Sequence, residues 1–156
     1  MGFWAGIKHA LNSTLGTAEF KPLDKLILDN VKVAVSDVVI KILINSSTQI
    51  PTINQTELMT YFVAKASGTV RVKAGHKTAS GVVSATKSLW CVRASTGKIL
   101  NSTGSDESTG VMSIDFNIVK GERYLINMSV DRGAAGYDKC TEISVCGSSY
   151  FGNLIS

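Results

Sequence analysis

From residue 57 onward the chain is a series of short runs in which apolar and polar residues alternate, with a glycine between most of them. Period-two alternation is the mark of a half-buried strand, and glycine supplies the turns. The pattern predicts strands over 57–66, 69–74, 82–86, 88–94, 112–119, 122–130 and 140–146. The clearest lie on either side of Lys120-Gly121-Glu122, where Ile114, Phe116 and Ile118 share one face and Tyr124, Ile126 and Met128 share another. They are expected to form a hairpin. Residues 31–44 fit strands near 31–35 and 38–44, because Val and Ile are stiff at χ1, although a helical spacing can also be drawn through them. Residues 45–56 are polar. The first thirty residues differ: Phe3, Trp4, Ile7, Leu11 and Leu15 recur at helical spacing, and Pro22 sits where a second short helix would open. The expected class is mainly β, an antiparallel, jelly-roll-like β-sandwich over 57–156. It is preceded by a helical anchor segment over 1–30 and a strand-rich connector over 31–56.

With 156 residues, 44% hydrophobic and 18% charged, the chain is long and apolar enough for a single core and too apolar for disorder. The longest near-apolar run, Val38 to Ile44, is far too short to span a membrane. Lys8 and His9 interrupt the apolar opening, whereas an export signal carries its charge ahead of that run, so retention in a cytosol is expected. Cys91, Cys140 and Cys146 are odd in number and lack metal spacing, which reads as small strand hydrophobes rather than a disulfide or zinc framework. Cys140 and Cys146, six apart, are expected on one face of a strand.

Charge is uneven. Residues 58–105 carry +7 with no acid, and residues 106–156 carry −3. A basic half raises nucleic acid as a partner, but only Trp90 is interleaved with those basic residues, and single-strand binding needs a series of aromatics. Nucleic acid is therefore disfavoured, and the expectation is that basic and acidic strands interleave and neutralise each other.

No nucleophile, zinc-protease or phosphate-loop motif occurs. His9 and His76 have no neighbours at metal spacing, and His76 reads as part of a Gly75-His76-Lys77 turn facing solvent. Asp106-Glu107 sits in a glycine-flanked loop, a poor platform for paired catalytic carboxylates. Asp131 and Asp138 bracket a loop with too few oxygens for calcium. No cofactor and no metal are expected. Trp90, Tyr137, Tyr150 and Phe151 are the aromatics outside the expected core, and the first three are the candidate ligand-binding residues.

The stretch Gly2-Phe3-Trp4-Ala5-Gly6-Ile7-Lys8-His9-Ala10-Leu11-Asn12-Ser13-Thr14-Leu15-Gly16-Thr17, followed by Phe20-Lys21-Pro22-Leu23-Asp24-Lys25, resembles the leader of structural and tail-associated virion proteins of phages that infect Gram-positive bacteria. Ser67 to Val72, Ser113 to Tyr124 and Thr141 to Val145 are similar to a β-sandwich of such proteins. The resemblance implies a non-enzymatic virion component made in the bacterial cytoplasm, tail- or fibre-associated or decorating the capsid. Its partners would be other virion proteins and copies of itself, a trimer being the first expectation, with no membrane. Phe3, Trp4, Ile7 and Leu11 would form the particle-anchor interface. The alternative reading is a carbohydrate-binding module that contacts a cell-surface glycan through exposed aromatics.

Overall fold

A computed structural model of the chain describes residues 35–132, 136–148 and 154–156. The chain divides into two units, Met1–Val33 and Ala34–Ser156. The described residues of the second unit form nine strands: β1 (Val38–Ile44), β2 (Thr48–Gln49), β3 (Leu58–Val63), β4 (Gly68–Thr78), β5 (Lys87–Arg93), β6 (Lys98–Ser105), β7 (Thr109–Ile118), β8 (Arg123–Val130) and β9 (Asp138–Gly147). They form a five-stranded sheet in the order β1-β9-β4-β7, with β2 also on β9, and a four-stranded sheet in the order β3-β8-β5-β6. All strand pairs are antiparallel. From β3 to β9 the chain passes between the sheets at every connection except β5–β6, which gives the jelly-roll order. The expected helical anchor over 1–30 lies outside the described residues.

Alternation sets which side chains enter the core. Val70, Val72 and Ala74 of β4, Met112, Ile114, Phe116 and Ile118 of β7, and Ile143 and Val145 of β9 face inward from one sheet. Phe62, Leu89, Cys91, Tyr124, Ile126 and Met128 meet them from the other. At one end Phe62 stacks on Tyr124 with ring centroids 5.3 Å apart, and Phe116 lies 5.8 Å from Tyr124.

The expected hairpin around Gly121 is not formed. Its inward faces are as the alternation predicts, but β7 and β8 lie in different sheets and face each other across the core. The corner explains this. Gly121 holds φ at +86°, a region closed to most residues with a Cβ. Its N–H donates to Ala64 O at 2.7 Å, and the Ala64 N–H donates to Glu122 O at 3.0 Å. The turn closes on itself through the Glu122 N–H to Val119 O at 3.1 Å, and is bonded to the neighbouring β3–β4 crossing, so β7 and β8 do not pair. The Val119 N–H donates to the Tyr124 hydroxyl at 2.6 Å, closing the corner.

Other departures have local causes. Residues 82–86 are a loop, with Val83 84% exposed, because the Ala79 N–H bonds Tyr137 O and the Val82 N–H bonds Ala79 O, turning the chain out of register. β6 was not anticipated, since Lys98 to Ser105 is a polar edge strand with little alternation. Part of the expected connector belongs to the sandwich: β1 and β2 pair with β9, and Ile50 is fully buried. His76 is not in a turn. It lies within β4, which pairs on past a bulge at Thr141 of β9, where a Cβ on Gly75 would come within 2.5 Å of Thr141 Oγ1. That bulge also puts Cys140 on the inward face beside His76 and Cys146 on the outward face beside Arg71, so the two do not share a face. All three cysteines are buried and unbridged, and burial pushes the thiols of Cys91 and Cys140 up to about 12 and about 11.

Truncating Phe116 to Ala removes a ring that packs against Tyr124 and Phe62 and is expected to cost about 3–5 kcal/mol. Asn117→Ala on the outer face loses only its exposed bond from Thr69 and should cost under about 1 kcal/mol. Urea unfolding of both variants checks this, and a larger loss for Asn117→Ala would contradict the register.

Candidate functional site

The two outer faces differ in chemistry. On the five-stranded sheet, Arg71 of β4 makes a two-point bridge to Asp115 of β7, with Nε to Oδ1 at 2.7 Å and Nη2 to Oδ2 at 2.9 Å. Lys73 reaches Asp37 at 2.8 Å, and Thr69 donates to Asn117 at 2.7 Å. Around β4 and β7 this face is closed by its own polar contacts.

The outer face of the four-stranded sheet carries an apolar row instead. Registers across the four strands align Tyr61, Leu125, Val92 and Ile99 from β3 to β6. The next row aligns Leu58, Asn127, Trp90 and Ser102. Tyr61 is 54% exposed and Ile99 57%, and Leu125, Val92 and Trp90 are half-buried. Four adjacent strands make the first row roughly 14 Å long. The local sequence explains Tyr61: neighbours on a strand point to opposite sides, so with Phe62 in the core Tyr61 must face out.

Alongside the Tyr61, Leu125 and Val92 part of the row, one step along the strands, lies an open groove of about 600 Å³ lined by Val63, Ala94, Ser95, Gly121, Glu122 and Arg123. The Gly121 corner forms one wall and the β5–β6 turn the other. Ser95 Oγ donates to Glu122 Oε2 at 2.5 Å. The Arg123 guanidinium lies over the Tyr61 ring, 5.0 Å from its centroid. An aromatic, a cation, a carboxylate and a hydroxyl thus meet at one edge of an apolar strip. This combination can hold a ligand that has apolar faces and many hydroxyls.

Of the residues expected to bind a ligand, Trp90 lies on this face, one row from Tyr61. Tyr137 does not. It is in the β8–β9 connection, 42% exposed, with the Arg132 guanidinium 5.7 Å from its ring centroid. Tyr150 lies outside the described residues, as do Phe3, Trp4, Ile7 and Leu11. Tyr61 and Arg123 are the residues that sequence reasoning missed. The adjacent pair Tyr61-Phe62 was the available signal, since one of the two rings had to face outward.

A second polar group lies inside the opposite end of the sandwich. Lys87 and Asp138 are both fully buried, with Lys87 Nζ 3.7 Å from Asp138 Oδ1. Asp138 also accepts from Thr78 Oγ1 at 2.6 Å and from Arg132 Nε at 2.9 Å. Lys87 donates to Ala85 O at 2.8 Å and to Ser84 Oγ at 2.9 Å. Asp138 is therefore committed to two cations and a hydroxyl, which leaves it unsuited to the calcium role weighed for Asp131 and Asp138. Among the described residues no cluster of three or more His, Cys, Asp or Glu is placed to hold a metal. His76 is 1% exposed, and neither ring nitrogen has a partner among the described residues. Burial, and then the positive charge of Lys87, hold its pKa below the usual 6.5, against the opposing pull of Asp138 and Glu107.

No family model and no curated protein matches the chain. Among solved structures it is similar to the carbohydrate-binding module CBM6cm-2 of Cellvibrio mixtus lichenase 5A in complex with cellotriose, at 11% identity and a TM-score of 0.43, covering 71% of this chain and 99% of that one. It is also similar to CBM35 of Cellvibrio japonicus Abf62, at 14% identity and a TM-score of 0.41, covering 70% and 94%. A third similar structure is the C-terminal domain of EclA, a sugar-binding protein, at 10% identity and a TM-score of 0.40, covering 75% and 83%. At these identities and scores the reading of the site rests on its own side chains.

The buried histidine gives an acid-sensitive fold. Because its folded pKa lies below 6.5, the unfolded chain binds the extra proton first, so stability present above pH 6.5 is lost as pH falls through that value. Urea midpoints at pH 7.5 and 5.5 should differ for the native chain, and much less for His76→Leu. An unchanged difference in His76→Leu would place the acid sensitivity elsewhere.

Proposed function

We propose that this chain is a non-enzymatic binding module that presents the outer face of its four-stranded sheet to a glycan. The jelly roll hosts capsid and lectin domains alike, so the fold by itself does not choose a function. The observation that carries the reading is Tyr61: a large ring, more than half exposed, at the junction of an apolar row with a groove lined by Ser95, Glu122 and Arg123. Sugar rings offer apolar C–H faces that pack on such a row. Their hydroxyls need donors and acceptors alongside, and Arg123, Glu122, Ser95 and Ser102 supply both. The groove is open, which suits a chain passing over a surface better than an engulfed small molecule.

A second reading concerns the leader, and the division of the chain between Val33 and Ala34 favours it. Phe3, Trp4, Ile7 and Leu11 are proposed to tether the module to a larger assembly, of which the phage particle implied by the sequence resemblance is the case to test. The two roles are compatible, with attachment through the leader and recognition through the sheet.

Burying an aromatic side chain against a ligand contributes about 1.5–3 kcal/mol, which corresponds to roughly 10–100-fold in affinity. A glycan array followed by calorimetry on the best ligand is expected to show losses of that size for Tyr61→Ala and smaller ones for Trp90→Ala. Ser113→Ala on the opposite face should bind like the native chain, and Trp4→Ala should weaken particle incorporation while leaving glycan affinity unchanged. Native affinity in a folded Tyr61→Ala variant would refute the site.

A further inference from the structure

We propose that the Arg123–Tyr61 pair makes this face selective for glycans that bear a carboxylate, with Arg123 contacting the anion. The inference rests on the glycan reading above and deepens it. Its first support is the lack of acidic residues in the strands of this sheet. The four strands β3, β8, β5 and β6 contain Arg123, Lys87, Arg93 and Lys98 and not one Asp or Glu. Lys87 is buried and bridged to Asp138, and Arg93 and Lys98 share the register row of the inward Tyr124, so of these four cations Arg123 is the one set on the outer face beside Tyr61. The chain's net charge of +4 acts in the same direction at long range.

The second support is the geometry of Arg123 itself. It is exposed and makes no ion pair with any described residue, whereas Arg71, Arg132, Lys73 and Lys87 all do. Its backbone is fixed at the start of β8, opposite Val63 on one side and accepting the Ala94 N–H at 2.9 Å on the other. The guanidinium carbon lies 5.0 Å from the Tyr61 ring centroid, and no hydrogen bond to a described residue engages its N–H groups. A carboxylate is planar and accepts two parallel N–H bonds from a guanidinium fork, and these charge-assisted bonds are about twice as strong as neutral ones. Glu122 is the one acid in the groove lining, and its Oε2 is engaged by the Ser95 hydroxyl. Its charge opposes an anion, so it limits affinity without supplying an alternative partner for Arg123.

The test uses the full chain and matched sugars: trigalacturonate, triglucuronate and sialyllactose, each beside its carboxyl-reduced neutral counterpart, titrated by calorimetry at low and high salt. At least one acidic sugar is expected to bind about tenfold or more tighter than its neutral counterpart at low salt, with the advantage shrinking as salt rises. Arg123→Gln should bring the ratio close to one. Arg123→Lys, which keeps the charge and loses the fork, should retain only part of it, and Glu122→Gln should raise it. Equal binding of acidic and neutral sugars by the native chain, or a ratio that survives in Arg123→Gln, overturns the carboxylate inference and leaves the glycan site standing. No binding of any sugar, acidic or neutral, overturns the glycan reading itself.

Discussion

The corner at Val119 to Tyr124 is the constraint on which the rest of this molecule depends. Gly121 alone can take the left-handed turn that lets the chain leave one sheet and enter the other. The Tyr124 ring then fills the end of the core between Phe62 and Phe116, and its hydroxyl accepts the Val119 N–H. The same turn is bonded to Ala64, so two sheet crossings are joined into one unit. Its outer side forms a wall of the groove and sets Glu122 and Arg123 beside the apolar row. Core, topology and candidate site therefore meet in six residues. A side chain at position 121 would strain all three, and Tyr124 links them through one ring and one hydroxyl.

The opposite end of the sandwich solves a different problem. Lys87 and Asp138 are far from water, and separating two such charges without bonding both would be costly. Here the ammonium has Ala85, Ser84 and the carboxylate, and the carboxylate has Thr78 and Arg132. Arg132 also donates to Val83 O, tying the β4–β5 and β8–β9 connections to the cluster. His76 sits within this polar end, and neither of its ring nitrogens has a partner among the described residues. One end of the core is thus held by stacked rings and the other by buried charge, and the groove lies at the aromatic end.

Strand positions and inward faces could be read from alternation, because period two determines side-chain direction whatever strand lies next door. Ile114, Phe116, Ile118, Tyr124, Ile126 and Met128 show this. Pairing could not be read the same way. A glycine turn between two alternating runs fits a hairpin and a sheet crossing equally well, and the bonds that decide between them come from Ala64, far away in sequence. The bulge at Thr141 was hidden for the same reason, so Cys140 and Cys146 were expected on one face although their strand was found, and Gly75 made His76 read as a turn although the alternation of β4 runs on through it. Half of the site was legible: Trp90 stood out as a lone aromatic among basic residues, whereas Tyr61 was concealed beside Phe62. Arg123 gained its place only when the fold set it over Tyr61.

The central claim is that ligand recognition belongs to the outer face of the four-stranded sheet. The most direct measurement is a map of backbone amide chemical shifts as a bound oligosaccharide is titrated into the labelled full chain. The account predicts that the shifted residues cluster at Tyr61, Trp90, Val92, Ile99, Arg123 and Leu125, with Ser113, Asp115 and Asn117 unmoved. A footprint centred on the β4–β7 face, or on the loop that carries Tyr137, would contradict it.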